Sequence, residues 1–390
     1  MPQSSDVLII GGGLVGLSLA RALAGSGLEL ALIEPQPPRK STHDAAAWDS
    51  RVYALSPGTV AFLEACGAWS RLPQERVTRV EAMRIYGDDT RACLDFSAYG
   101  AGLRELAFIV EGRPLLEALR EAVHGQDLRM HCPAEWRSLE FHPDHVAATL
   151  EDGVVLRARL AVGADGAESR VRAQAGIEVR PADYGQLGVV ANFSCQKPHH
   201  GVAYQWFRRD GVLALLPLPG ERASMVWSIA RERGRELVAL PAAALAAEVE
   251  SASHGALGAL QVITPATSFP LRLQRVTQFT KPRVALAGDA AHNLHPLAGQ
   301  GLNLGFRDAR ALAEVLRERG PQRDCGDYAL LRRYERARKE DVLAMQLATD
   351  GLQKLFNNEA VWLAGARNLG LTLLNGQPLL KNFLVNRAVA

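Results

Sequence analysis

Apolar residues open the chain in a tight run, Val7 to Ile10, which glycines interrupt at once; they recur at helical spacing through Leu14 to Ala24 and close up again in Leu28 to Glu34. An unbroken apolar run of that length marks a strand buried on both faces, and the 3.6-residue recurrence marks an amphipathic helix. Together they predict a strand–helix–strand unit of about thirty residues. Pro35 to Asp49 reads as loop. Ser56 to Trp69 predicts a helix with Ser56 as N-cap, Pro57 in the first turn and Gly67 near the stop. Strand-like runs follow at Val80–Tyr86 and Leu106–Val110, then a helix near Arg113–Val123.

From about residue 183 the period shortens to two. Gly188–Cys195, Val202–Phe207, Val212–Leu218 and Ser224–Ala230 are short runs punctuated by Pro and Gly, the texture of an antiparallel sheet, with an Ala-rich helix expected at 241–252. An apolar strand, Arg283–Gly288, and an amphipathic helix, Asn303–Arg319, then restore the first texture before a helical tail from 328 onward. The expected fold class is α/β: a Rossmann-like domain assembled from 1–75, 97–182 and 280–345, an inserted antiparallel-sheet substrate domain from 76–96 and 183–279, and a C-terminal helical tail, 346–390.

Composition narrows the function classes. With 48% hydrophobic and 22% charged residues, the 390-residue chain has an ordinary globular balance. Its net charge of +2 gives no global field for nucleic acid, so an anionic ligand must be held by local groups. Five scattered cysteines (Cys66, Cys93, Cys132, Cys195, Cys325) with no C-x-x-C pair fit reduced thiols rather than a disulfide framework or zinc site. No metal site is expected. No stretch reaches 18 uninterrupted apolar residues, so the expected location is cytoplasmic, with peripheral contact at an inner membrane left open.

Three motifs carry the chemistry. Gly11-x-Gly13-x-x-Gly16 lies between the first strand and helix, with Glu34 closing the next strand. Glycines there allow a tight turn and close backbone approach, the helix N-terminus offers free N–H groups to a pyrophosphate, and the acid accepts ribose hydroxyls. GADGAESRVR, Gly163 to Arg172, follows the strand Leu160–Val162 and supplies Asp165 and Gly166. The third follows another strand: Gly288-Asp289-Ala290-Ala291-His292, then Pro296, Gly299-Gln300-Gly301-Leu302-Asn303 and a helix. A second glycine-permitted approach beside Asp289 suits a ligand with a polyol and a ring system.

In this order the motifs resemble the group A flavoprotein aromatic hydroxylases, the family of p-hydroxybenzoate hydroxylase. DSRVYALSPGTVAFLEACGAW, AFIVEGRPLLEAL and VLALLPLPGERASMVWS are similar to the ubiquinone-biosynthesis hydroxylases (the UbiH/UbiF/VisC family), and the resemblance covers essentially the whole chain. It implies FAD as cofactor, NAD(P)H as cosubstrate, and O2 and a polyprenylated phenol or quinol as substrates, one oxygen atom passing to the aromatic ring. It also implies that Arg51 approaches the FAD pyrophosphate and ribityl chain, that Arg113 lies in a cofactor-contacting segment, and that Asp165 serves FAD and NAD(P)H binding. Asp289 meets the ribityl hydroxyls; Gly299 to Asn303 form the flavin-ring loop, and Pro296 borders flavin and substrate.

Several alternatives stay open at this point. Arg51 also reads as a solvated loop residue, and His292 and His295 either as acid–base groups or as packing beside the cofactor loop. The apolar stretch of Trp206, Leu215, Pro217 and Trp227 is either the substrate lid over the flavin or the core of its own sheet. For the whole chain, the alternatives are a flavin oxidoreductase without oxygen transfer and a non-catalytic FAD-binding subunit. A halogenase is disfavoured, since Met225 to Ala230 lacks the W-x-W-x-I-P pattern. The tail, with Val361–Ala364 and Leu369–Leu374 beside Lys354, Arg367, Lys381 and Arg387, suits a bilayer, a partner enzyme or simple packing.

Overall fold

The computed structural model describes residues 3–37, 47–87, 93–293 and 300–356. One eight-stranded sheet carries the motifs. Its path runs Thr280–Lys281, Val284–Leu286, Val155–Gly163, Gln3–Ile10, Leu30–Ile33, Leu128–His131, parallel from Val284 onward. A hairpin, Trp136–Phe141 with Val146–Leu150, pairs antiparallel with the opening half of Val155–Gly163. The parallel strands end in one row, since Ile10 pairs with both Ile33 and Gly163, Ile33 with His131, and Gly163 with Leu286. Glu34, Gly11, Asp165 and Gly288 therefore leave the same carboxyl edge of the sheet, where open parallel sheets bind ligands.

Helices Leu14–Ala22, Gly112–Val123 and Gln300–Arg317 pack on this sheet. The expected helix at Ser56 is seen over Pro57–Ala65, with the Ser56 side chain accepting from Thr59 N–H. The run Val80–Tyr86, expected as one strand, is two. Thr78–Val80 joins a small sheet with Val52–Leu55 and Ala107–Glu111, whereas Ala82–Tyr86 crosses into the second large sheet. Glu81 breaks the run, its backbone N–H donating to Gly201 and its carbonyl accepting from Ala98.

The second large sheet has nine strands. Its path runs His292–Asn293, Thr267–Val276, Val179–Cys195, Arg222–Ala230, Gly211–Leu218, Val202–Arg208, Ala82–Tyr86 and Cys93–Ser97. It is antiparallel except where Val202–Arg208 meets Ala82–Tyr86, which continues from the small three-stranded sheet. The expected Gly188–Cys195 strand is the second half of a 17-residue strand, bulged between Asp183 and Gln186, so the boundary drawn at 182/183 falls inside one element. Arg231–Ala239, a helix the apolar pattern did not signal, joins Ala242–Ala252 over one face. The expected tail begins as the helix Tyr328–Phe356; its segments beyond residue 356 lie outside the described residues.

Candidate cofactor and active site

The first strand enters Gly11 at φ +112°. A Cβ there would lie 2.3 Å from the Ala164 carbonyl oxygen, and one on Gly16 would lie 1.9 Å from that of Gly11. Both sites therefore exclude any side chain. Gly13 faces open space and caps helix Leu14–Ala22 without a side-chain bond, and the first turn holds no acid. The first N–H groups are thus presented to an anion. Glu34 is fixed beside them: Oε2 accepts from Gly12 N–H at 2.6 Å and Oε1 from Gln36 N–H at 2.9 Å. Its remaining lone pairs suit ribose hydroxyl donors. A cavity of about 330 Å³ opens here between Gly12, Glu34, Arg120, Met130 and Cys132.

The second motif forms an adjoining wall. Asp165 Oδ2 accepts from Val171 N–H at 3.1 Å, while Oδ1 is buried with no partner among the described residues. A buried carboxylate oxygen without a donor is costly, so this atom fits a hydroxyl or N–H brought by a ligand. Gly166, at φ +84°, leaves the space before it open. Arg172, itself buried, donates to the carbonyls of Ala167 (2.9 Å) and Ala290 (3.0 Å), tying this turn to the third motif.

Gly288 turns the chain at φ +62°, and Asp289 follows on the floor of the cleft. Asp289 is crowded by protein on most sides yet keeps an exposed surface. That crowding pushes its carboxyl above the usual range, partly opposed by His292 and Arg51. Asp308, fully buried, accepts from Gly288 N–H (2.9 Å), His292 Nε2 (2.6 Å) and Arg338 Nε (2.8 Å). Burial alone would raise its pKa; His292 and Arg338 outweigh that and hold it below the usual carboxylate range. His292 is thus a buried partner of Asp308, the packing alternative of the two. Close contact of Gly288 and Gly305 with Val15 lets helices Leu14–Ala22 and Gln300–Arg317 bring the first and third motifs together.

Gln300 begins that helix, Gly301 faces open space, and Leu302 packs on the main core. The Asn303 side chain points into protein, its Oδ1 accepting from Ser56 N–H (2.9 Å) and its Nδ2 donating to the Ala54 carbonyl (2.8 Å). Its side chain is therefore committed to protein. His295, Pro296 and Gly299 lie outside the described residues. Arg51 and Arg113 are exposed side chains brought together by Asp49, whose Oδ1 accepts from Arg51 N–H and Oδ2 from Arg113 N–H, both at 3.0 Å. The Arg51 guanidinium is near enough to Tyr53 and to Asp289 to oppose, in each, the rise in pKa that burial causes. Behind Asp49, buried Glu111 accepts from Asp49 N–H (2.6 Å) and twice from Arg76 (2.6 and 2.8 Å), whose guanidinium lies 4.2 Å over Trp48.

The residues expected at the substrate lid are placed differently. Trp206, Leu215 and Trp227 are buried with Leu237, Leu245 and Val249 of the covering helices, and the pairing of Pro217 with Ala223 puts it on that face too. This is the sheet-core alternative. The opposite face is the one that meets the first motif's side, as Asn192 Nδ2 donates to the Asp49 carbonyl at 2.8 Å. Sequence reading also passed over Asp49, Glu111, Arg172, Asp308 and Arg338. Asp308 did carry a signal, being charged yet in helical phase with buried Leu304 and Leu312.

These walls, open to a pyrophosphate at one end and a polyol and ring at the other, define a dinucleotide-binding flavoprotein. A model of the FAD binding domain family matches residues 4–348. The ubiquinone hydroxylase UbiL of Rhodospirillum rubrum is 37% identical over 389 residues, covering 99% of this chain and 89% of that protein. The 3-demethoxyubiquinol 3-hydroxylase of Escherichia coli is 35% identical over 383 residues, covering 97% of each. In fold, PqsL of Pseudomonas aeruginosa, described as a probable FAD-dependent monooxygenase, superposes with a TM-score of 0.78 at 24% identity, covering 95% of this chain and all of that one. The chain belongs to the family of FAD-dependent ubiquinone hydroxylases.

Proposed function

We propose that this chain hydroxylates the aromatic ring of a polyprenylated phenol or quinol in ubiquinone biosynthesis, with FAD, NAD(P)H and O2. The observation that carries the reading is the joining of three distant motifs along one carboxyl edge, facing a largely apolar sheet. Bound FAD would supply electrons taken from NAD(P)H to activate O2, one atom of which would pass to the ring while the other leaves as water. The chain's own part is binding and shielding. N–H groups after Gly11, Gly13 and Gly16 would meet the pyrophosphate with Arg51 and Arg113 nearby, Glu34 the adenosine ribose, and Asp165, Gly166, Gly288 and Asp289 the polyol. N–H groups of Gly301, Leu302 and Asn303, with Pro296, Gly299 and Gln300, would border the ring. The packed sheet face would exclude water, which otherwise diverts the reaction to H2O2.

The test is NAD(P)H oxidation by the FAD-loaded protein with a prenylated phenol, with product traced from 18O2. Stimulated oxidation with one labelled oxygen in the ring is expected. Stimulated oxidation that yields only H2O2 would favour a flavin oxidoreductase, and FAD binding without phenol-dependent turnover a non-catalytic subunit. Among the described residues no helix is long and apolar enough to cross a membrane. We infer that a lipid substrate is met through peripheral contact made by the tail, with its alternating apolar and basic segments. Removing residues from 351 onward should leave FAD bound and abolish co-sedimentation with anionic vesicles; unchanged sedimentation would overturn this.

A further inference from the structure

The sheet face toward Asp49 can be followed residue by residue. Along Val179–Cys195 it runs from Asn192, bonded to Asp49, through Val190 to the bulge at Asp183–Gln186. Beyond the bulge, the neighbouring strand Thr267–Val276 pairs with His292–Asn293 of the third motif. The middle of this face therefore lies between the Arg51 loop and the Asp289 loop, opposite the expected flavin ring. Register places Val190, Val226, Ala214 and Gln205 in one row across it. Ala214 and Val226 are only partly buried, so the face opens there.

Gln205 is out of keeping with these surroundings. Ala203 and Phe207 flank it on its own strand, and Ala214 and Ile85 oppose it on the two neighbours. Ala203 and Leu216 belong to one apolar cluster, and Phe207 and Val212 to another. Gln205 sits between the two, 4% exposed, and no side-chain hydrogen bond holds its carboxamide to another described residue. An amide set in an apolar wall and open to the face keeps its donors and acceptor for a group brought there, whereas Leu would fill the same space with nothing to pair.

We propose that Gln205 is a specificity-determining residue whose carboxamide pairs with a ring hydroxyl of the phenolic substrate. The amide oxygen accepts the phenol O–H, or the amide N–H donates to the ring oxygen, while Ala214 and Val226 carry the apolar ring. The pairing sets which ring edge faces the cofactor. This inference rests on the hydroxylase reading above and names the residue that recognises its substrate.

Gln205→Leu in the FAD-loaded protein tests it, read by the flavin absorbance change on titration with a phenol carrying a two-isoprene chain and with the corresponding arene lacking the hydroxyl. The variant is expected to keep its FAD and to melt at or above the wild-type temperature. Its affinity for the phenol should fall about tenfold, its affinity for the arene should not change, and more of the NAD(P)H consumed should appear as H2O2. Equal affinity of both proteins for the phenol would overturn the assignment. So would loss of FAD or of thermal stability, which would make Gln205 a structural residue. Failure of the wild type itself to respond to the phenol would instead overturn the hydroxylase reading, and this assignment with it.

Discussion

Two carboxylates a single loop apart are shifted in opposite directions, and the difference separates binding from support. Asp289 has its pKa raised, so its ionisation opposes folding of the cofactor-free chain: the stability it contributes is present below the ordinary carboxylate value near 4 and is lost as pH rises through the folded value. Asp289→Asn should therefore melt higher than wild type at pH 7 without FAD, converge with it below about pH 4, and bind FAD about tenfold or more weakly. Melting curves across pH, paired with flavin titration, check all three. Asp308 has its pKa lowered, so its stabilising effect is present above the ordinary value and is lost as pH falls through the folded value. Asp308→Asn should be less stable at pH 7 and show a shallower loss in acid. Of the two, Asp289 is singled out by its motif, whereas the helical phase of Asp308 signals burial without naming its partners. The role proposed for Asp289 follows from a local strand–turn spacing, whereas the partners of Asp308 come from residues 16 and 30 positions away and meet only in the packed molecule.

At the scale of elements, helix Tyr328–Phe356 supports the cofactor loop from behind. Tyr334 Oη donates to the Leu286 carbonyl (2.8 Å), Glu335 accepts from Thr280 Oγ1 (2.9 Å), and Arg338 pairs with Asp308. Arg338→Met leaves the buried Asp308 carboxylate without its arginine partner and should destabilise by about 3–5 kcal/mol in urea titration. Adding Asp308→Asn should recover part of that loss. Helix Gln300–Arg317 was readable because its apolar residues keep one stripe, a period that survives whatever it packs against. The sheet was readable as strands but not as faces. Both of its faces are apolar in the middle strands, Trp206, Leu215 and Trp227 on one and Ala214, Leu216 and Val226 on the other, so alternation carries no direction. Trp227→Ala should accordingly cost about 3–5 kcal/mol of stability and leave phenol affinity of the surviving folded holoenzyme unchanged.

At the scale of the molecule, the patterning divides the chain into a Rossmann-like domain and an inserted sheet domain, but strand, hydrogen bond and packing join the two large sheets. Val179–Cys195 is one strand that leaves the first region and crosses the second; Asn192 bonds Asp49; and Ala203, Leu216 and Leu218 share a cluster with Val80 and Ile109 of the small sheet. The proposed FAD walls come from Gly11, Glu34, Arg51, Asp165, Asp289 and Gly301, so the proposed site needs all of these segments folded together. A ligand that binds only such an assembled state stabilises all of it, by about 2.7 kcal/mol at a hundred times its dissociation constant. Calorimetry should therefore show one transition that FAD moves upward as a whole, and Asp289→Asn should shrink that shift in proportion to its weaker binding. Two transitions of which only one responds to FAD would mean that the nine-stranded sheet folds apart from the cofactor domain, and that the contacts through Asn192 and Leu216 are too weak to couple them.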